Sequence, residues 1–461
     1  MGLSPARRLA FKVVRRVRER DSFAPEAMQS AVSRAQVSAR DKAFATRLAY
    51  GTIANRGTLD ELVATELSRP ADTPDEVKDA LAIAAYELFF EKTKAYIVVD
   101  QGVEMVRFAT RSKTFSGLSN AVLRRLSEKR DAIFPGGDPL VDIAAAARLQ
   151  GHPLWLAQRI AAEYGDEAMR NIMAINNEPA PLYLVHLPFL QSQKQSLAVL
   201  DSAGISWEPA GIDAAFLVND RAAFWALRPE LRNSFVAMDL AAQQVVALCD
   251  AQPDQQILEV GSGRGMKSLT LAASAQRLGG PAKILGLDLY DFKTKVAQKT
   301  ALEYGVREAD YVSLDVTKVS ARENLIEHAK TEHFDTVLVD APCSGLGTLR
   351  RAVDKRWKLK EEELTQLARL GQTMLDWSSQ FVAPEGRLFY ATCTIAQEEN
   401  QTVVRNFLDS PQGKDFIVEP LTKEELAPVF ESAITSEGFL NALPQSAGPD
   451  GHFAARLKRK R

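Results

Sequence analysis

Five times after residue 235 the chain repeats one pattern: a short apolar segment, a loop of polar and turn-forming residues, then helical periodicity. QILEVGSGRGMKSLTLAAS, KILGLDLY, YVSLDV, DTVLVDAPCSG and RLFYATCT each carry it, and stretches such as LTQLARLGQTMLDWSSQFV fill the intervals. Apolar strands alternating with helices read as parallel strands buried on both faces. Residues 235–461 are therefore expected to form a doubly wound α/β domain. In such sheets ligands bind beyond the carboxyl ends of the strands, so the chemistry should be sought in those loops.

The first 134 residues lack this pattern. In ARRLAFKVVRRVRER, Leu9, Val13, Val14 and Val17 recur at helical spacing, with arginines on the opposite face. Ser38 and Asp41 have capping-box spacing ahead of Phe44, Leu48 and Ala49. Thr73-Pro74-Asp75-Glu76 offers an N-cap, a proline at the first helical position and a glutamate three after the cap, before the apolar series Val77, Leu81, Ala84, Ala85 and Leu88. Residues 1–134 are predicted to be an all-α domain. FPGGDP, from Phe134, opens a linker spanning 135–147. HPLWLAQRIAAEYG then reads as a helix, and PLYLVHLPF and FLVND as strands, giving a small α+β domain over 148–234.

The net charge of −2 conceals a division. Residues 1–134 hold 23 Lys and Arg against 17 Asp and Glu, a net of +6 that leaves −8 for the remainder. A basic helical lobe suits contact with nucleic-acid phosphates, although a solvated helical surface would look the same. Three cysteines without a CxxC, and five scattered histidines, supply neither a disulfide framework nor metal-ligand spacing. No metal is expected, and the reading is of a reducing, cytoplasmic setting. No apolar run reaches the length of a membrane-spanning helix, so no membrane partner is expected.

The loop Gly261-Ser262-Gly263-Arg264-Gly265 follows the segment ILEV and opens a helix, where glycines let backbone N–H groups approach a ligand. Such a loop alone is often no more than a tight turn. Here Asp288 ends the next strand, where an acid can accept from ribose hydroxyls, and Asp315 is read as ending the strand after that, placed to meet an adenine edge. Loop and acids at successive strand ends describe a nucleoside crevice for either a dinucleotide or S-adenosylmethionine.

The cysteines discriminate between these cofactors. Cys343 and Cys393 each sit where an apolar strand stops in a polar turn, whereas Cys249 lies in a helical pattern without polar company. Taken singly, each would pass as a small buried hydrophobe. Two thiols on the ligand edge suit a harder task. Cytosine C5 is a poor nucleophile, and a thiolate adding at C6 pushes electron density onto C5, which then attacks a sulfonium methyl. That chemistry also needs an acid near cytosine N3 and N4, for which Asp340 is placed, and a cation such as Lys267 to lower a thiol pKa or orient a neighbour. The spacing does not say which thiol attacks.

DAPCSGLG (Asp340–Gly347) resembles the DAPCSGTG motif of the Sun/RsmB-type RNA cytosine-5 methyltransferases, and LFYATCTIAQEEN (Leu388–Asn400) is similar to their YSTCS…EEN motif. RRAVDKRW (Arg350–Trp357) falls where that family has a basic stretch. FVAMDLAAQQ (Phe235–Gln244) resembles its QDxxxQ helix start, and DGHFAARL (Asp450–Leu457) its closing strand. The resemblance runs from about residue 150 to the end, and residues 1–134 resemble the NusB-like RNA-binding domain of the bacterial members. It implies a Rossmann-like methyltransferase domain that uses S-adenosylmethionine to form 5-methylcytosine in 16S rRNA through a cysteine–C6 adduct, in a monomeric protein. By position it makes Cys393 the nucleophile and Cys343 the thiol that assists release, with Asp340 and Lys267 beside them. The cofactor contacts it implies fall on Gly261, Ser262, Gly263, Arg264, Gly265, Met266 and Lys267, and on Asp288, Asp315 and Asp340.

The chain departs from the family at three places. SGRGMK stands where the family has APGGK, Val185-His186-Leu187 where it has Arg-x-Asn, and Met238 where it has a glutamine before Asp239. The altered loop is the one feature favouring a non-catalytic RNA-binding or assembly factor, against which stand Cys343, Cys393, Asp340 and Lys267. A nicotinamide-dependent oxidoreductase would explain the glycine loop and Asp288 but leave both cysteines idle.

Overall fold

The computed structural model describes residues 2–20, 22–91 and 93–461. The chain divides into two compact units, one formed by Met1–Asn177 with Leu349–Glu361, the other by Glu178–Thr348 with Glu362–Arg461. Among the described residues no helix is long and apolar enough to cross a membrane.

The first unit is helical, and its residues 1–134 are the region predicted to be all-α. Its helices include Pro5–Arg20, Ala39–Ala54, Asp75–Phe89, Ala95–Thr110 and Ser116–Glu128, followed by Leu154–Tyr164 and Asp166–Ile175. Val77, Ala80, Leu81, Ala84, Ala85 and Leu88 of the central helix are all buried, small residues on that face letting neighbouring helices approach closely. Ser38 caps its helix as the spacing predicts, its hydroxyl accepting from Asp41 N at 3.1 Å. Thr73 does not. Its hydroxyl donates instead to Arg69 O at 2.9 Å in the preceding turn, and the helix begins at Asp75 with Pro74 as the cap residue. A short hydroxyl side chain can satisfy itself on a nearby carbonyl, and here that bond displaces the cap.

The segment Leu349–Glu361, which interrupts the second unit in sequence, packs within the helical one. Val353 joins the helical core. Arg356 is fully buried and donates to Asn176 O at 2.8 Å and Asn177 Oδ1 at 2.9 Å, with longer contacts of 3.4 Å to the carbonyls of Ala54 and Gly151. Among the described residues no carboxylate pairs with it, and burial pushes its pKa down to about 9. Trp357 Nε1 donates to Ala54 O at 2.7 Å, and its ring lies where a Cβ on Gly57 would be. His152 completes the shell as a neutral ring: burial, then the Arg356 charge, holds its pKa far below normal.

The second unit contains two sheets. The smaller is antiparallel with order β2-β3-β1-β4, formed by β1 (Leu182–His186), β2 (Trp207–Pro209), β3 (Ala215–Val218) and β4 (Phe235–Ala237). Two of its strands were legible as apolar runs, whereas β2 and β4, three residues each, were not. The side chains of Val185, His186 and Leu187 are buried, so this departure does not lie on the surface.

The larger sheet comprises β5 (Gln256–Val260), β6 (Lys283–Asp288), β7 (Ala309–Ser313), β8 (Phe334–Asp340), β9 (Val382–Thr392), β10 (Phe416–Val418), β11 (Leu440–Ala442) and β12 (His452–Arg459). Its order is β10-β12-β9-β8-β5-β6-β7, with β11 on β12. The five strands β9-β8-β5-β6-β7 are parallel, while β12 runs antiparallel to β9, β10 and β11. This is the doubly wound arrangement predicted, with a mixed edge. The strand order reverses between β5 and β8, and the crevice at such a switch point is where ligands bind.

Candidate active site

The loops after β5, β6, β8 and β9 open on one edge of the sheet and bring together residues far apart in sequence. Neighbouring β8 and β9 are in parallel register with Asp340 opposite Ala391. Cys343 lies three residues beyond Asp340 and Cys393 two beyond Ala391, so the register delivers both thiols to one place. Their sulfurs are 3.4 Å apart, and both residues are half-buried. Gly347 N donates to Cys393 O at 3.1 Å, binding the two loops by their backbones. A side chain at Gly347 would strike the Gly451 carbonyl.

Lys267 Nζ donates to Asp340 Oδ2 at 2.5 Å. Burial opposes the lysine's charge, but Asp340, Glu259 and Cys393 outweigh it and raise its pKa. Lys267 is thus an ammonium across the working range of pH, electrostatically coupled to Cys393. Gly261 has φ +91°, and a Cβ there would run into the Asp340 carbonyl, so only glycine lets the loop pass so close to the end of β8. Asp288, last residue of β6, accepts from Gly263 N at 3.1 Å and Tyr290 N at 2.9 Å, with Lys293 Nζ at 3.3 Å. Asp315 lies two residues past β7, more exposed, its carboxylate held by Thr317 N at 3.0 Å and Thr317 Oγ1 at 2.6 Å. The Thr317 hydroxyl is the main cause of its lowered pKa.

The altered loop positions are accommodated. Arg264 is exposed, and Met266 packs partly buried against the core. Ser262 is buried and its hydroxyl has no hydrogen-bond partner among the described residues. Cys249 is a core residue, as expected; burial raises its pKa far above that of a free thiol. Among the described residues no group of three or more His, Cys, Asp or Glu side chains converges as a metal site.

The sequence reading missed two buried carboxylates. Glu399 is 1% exposed and accepts from Ser344 N at 2.7 Å and Ser344 Oγ at 2.5 Å. Burial raises its pKa against those contacts. Glu259 is buried within β5 beneath the glycine loop, where the Ser268 hydroxyl donates to it, and burial pushes its pKa from 4.5 up to about 7. A lone acid inside an apolar strand gives no hint of its role. It has a consequence for stability. The unfolded chain releases that proton near pH 4.5 and the folded chain only near 7, so between these values the folded state binds more protons and loses stability as pH rises. The loss should total about 3 kcal/mol. Denaturant titrations from pH 4.5 to 8 should show this decline, and Glu259→Gln should flatten it.

Known proteins resemble the chain along most of its length. Residues 246–458 match the family model 16S rRNA methyltransferase RsmB/F, residues 4–128 the NusB family, and residues 152–222 the RsmF/B-like ferredoxin-like domain. Ribosomal RNA small subunit methyltransferase B of Thermus thermophilus is 28% identical over 98% of this chain and 97% of its own length. The crystal structure of PH0851 superposes with a TM-score of 0.80 at 20% identity over 100% of both chains. That of NSun6 from Pyrococcus horikoshii with SFG gives a TM-score of 0.55 at 16% identity, covering 68% of this chain and 100% of that one. Both structural likenesses concern the fold.

Proposed function

The chain belongs to the RsmB/F family of methyltransferases, and from that premise we propose that it forms 5-methylcytosine in 16S rRNA, using S-adenosylmethionine. The observation that carries this reading is the pair of thiols 3.4 Å apart beside the Lys267–Asp340 pair. A nicotinamide-dependent hydride transfer would leave both thiols without a role.

The crevice fits the cofactor by its chemistry. Asp288 offers a carboxylate to a ribose diol, the loop from Gly261 to Gly265 exposes backbone at a helix start, and Asp315, past the end of the next strand, is placed to meet an adenine edge. The likeness to a structure holding SFG, a SAM analogue, supports the same class. S-adenosylmethionine, when bound, supplies the electrophilic methyl group.

The residues then divide the work. The Cys393 thiolate adds to cytosine C6, forming a C–S bond and moving an electron pair toward C5. Lys267 favours the thiolate form of Cys393 by the same Coulombic coupling that raises its own pKa. Asp340, oriented by Lys267, accepts from the N4 amino group of the cytosine, and the Lys267 ammonium beside it offsets the negative charge that moves into the ring as C6 is attacked. Once C5 carries the methyl group, its proton passes to water, the C–H electron pair re-forms the C5=C6 double bond, and the C6–S bond breaks with its pair returning to Cys393 as the thiolate. Cys343, within contact distance of Cys393, assists that breakdown.

Incubation with methyl-labelled S-adenosylmethionine and small-subunit rRNA, followed by digestion to nucleosides, tests the reaction. Label is expected in 5-methylcytidine alone. Label in another nucleoside, or none in any RNA, would overturn the assignment.

A further inference from the structure

The residues immediately after the two cysteines are held by a single side chain. Glu399 Oε2 accepts from Ser344 N at 2.7 Å, and Oε1 accepts from Ser344 Oγ at 2.5 Å and from Thr394 Oγ1 at 3.4 Å. The two hydroxyls also meet each other at 2.7 Å. Its neighbour Asn400 brackets Cys393 from both sides: Oδ1 accepts from Thr392 Oγ1 at 2.6 Å, and Nδ2 donates to Thr394 O at 3.0 Å. Tyr390 OH donates to Glu399 O at 2.8 Å, fixing the backbone that carries both side chains. Glu399, Asn400, Ser344, Thr392 and Thr394 are each at most 1% exposed.

A buried carboxylate is costly to keep unless every lone pair is used, and here its partners belong to the two thiol loops. Hydrogen bonds in a dry interior are strong and directional, and removing one partner leaves the other unsatisfied. Glu399 adds to the backbone contacts between the strands and loops, from Ala341 N to Ala391 O and from Gly347 N to Cys393 O, a side-chain link between the residues that follow the two thiols. Glu399 touches neither sulfur and lies on none of the cofactor loops.

We propose that Glu399, seconded by Asn400, is the positioning residue that sets the distance between Cys343 and Cys393, through Ser344 and Thr394. This rests on the reading that both thiols serve one cytosine, and it deepens that reading by naming what holds them in place.

Two measurements on the full chain test it. Diamide oxidises neighbouring thiols to a disulfide, so its rate of closing Cys343 to Cys393 reports their spacing without any RNA. In Glu399→Ala that rate is expected to fall by about tenfold or more, and kcat for methyl transfer by roughly 100-fold, since small misplacements of reacting groups are costly. KM for S-adenosylmethionine should be unchanged. Glu399→Gln keeps an oxygen to accept from Ser344 N, while its amide can donate to the hydroxyls, and should recover most of both losses. Wild-type rates of both processes in Glu399→Ala would overturn the proposal. So would a lowered melting temperature with an unaltered disulfide rate, which marks a merely structural role. If Glu399→Ala does not fold, Ser344→Ala carries the comparison, and a disulfide rate in it equal to that of the wild type overturns the proposal. If the wild type methylates no RNA, the functional reading fails while the disulfide rates still decide the clamp.

Discussion

Alanine at Cys393 is expected to abolish methyl transfer, lowering kcat by about four orders of magnitude or more, as loss of a covalent nucleophile does elsewhere. Removing this thiol leaves C5 unactivated, and the intact crevice should still bind cofactor normally. Alanine at Cys343 is expected to behave differently. One round of methylation should proceed, because Cys393 and Lys267 remain in place, and the enzyme should then stall with RNA attached. A single-turnover burst in Cys343→Ala beside no burst in Cys393→Ala is the expected pair of results, read by quenched-flow labelling and by denaturing gels that retain protein-linked RNA. The opposite pair would exchange the two roles. The 3.4 Å between sulfurs makes either assignment geometrically open; the family resemblance of TC and PC motifs is what distinguishes them.

The second large effect lies in the helical unit. Arg356→Ala should take the Arg356 donor from the carbonyls of Asn176 and Gly151 and from the amide oxygen of Asn177, and leave a cavity where the side chain was. Lost hydrogen bonds to a charged donor and a large-to-small core change together should cost about 4 kcal/mol. In a unit of this size that corresponds to a melting temperature lower by about 10 °C. Amides of Leu349–Glu361 should exchange faster in the variant, which hydrogen-exchange mass spectrometry can read peptide by peptide. Arg356→Lys is expected to recover little, because one ammonium cannot reach acceptors arranged around a planar guanidinium. Unchanged melting and exchange in Arg356→Ala would show that the segment is held by Val353 and Trp357 alone.

These examples show where the sequence was readable. The parallel strands announced themselves because burial on both faces makes each one continuously apolar, and the acids and thiols at their ends stood out against that background. Cys343, Cys393, Asp340, Lys267, Asp288 and the glycine loop were all identifiable that way. Register was not: that Asp340 lies opposite Ala391 is a property of pairing, and the meeting of the thiols depends on it. RRAVDKRW was matched only as a basic stretch, yet Arg356 is buried against carbonyls, a partner every residue carries and no sequence displays. Glu399 and Glu259 were hidden for a related reason. A carboxylate is ordinarily a surface residue, and only the fold shows which ones have been enclosed with their donors. Thr73 misled because its hydroxyl had a nearer carbonyl to bond than the helix start it was read as capping.

RNA carrying 5-fluorocytosine at the target position supplies the most direct measurement. The fluorine cannot leave as a proton does, so the protein–RNA bond should persist after methylation. Following trypsin and nuclease digestion, mass spectrometry should find the methylated fluoronucleotide on the peptide Leu388–Arg405, which contains Cys393. The same nucleotide on Thr331–Arg350, which contains Cys343, or no linked nucleotide at all, would contradict the account.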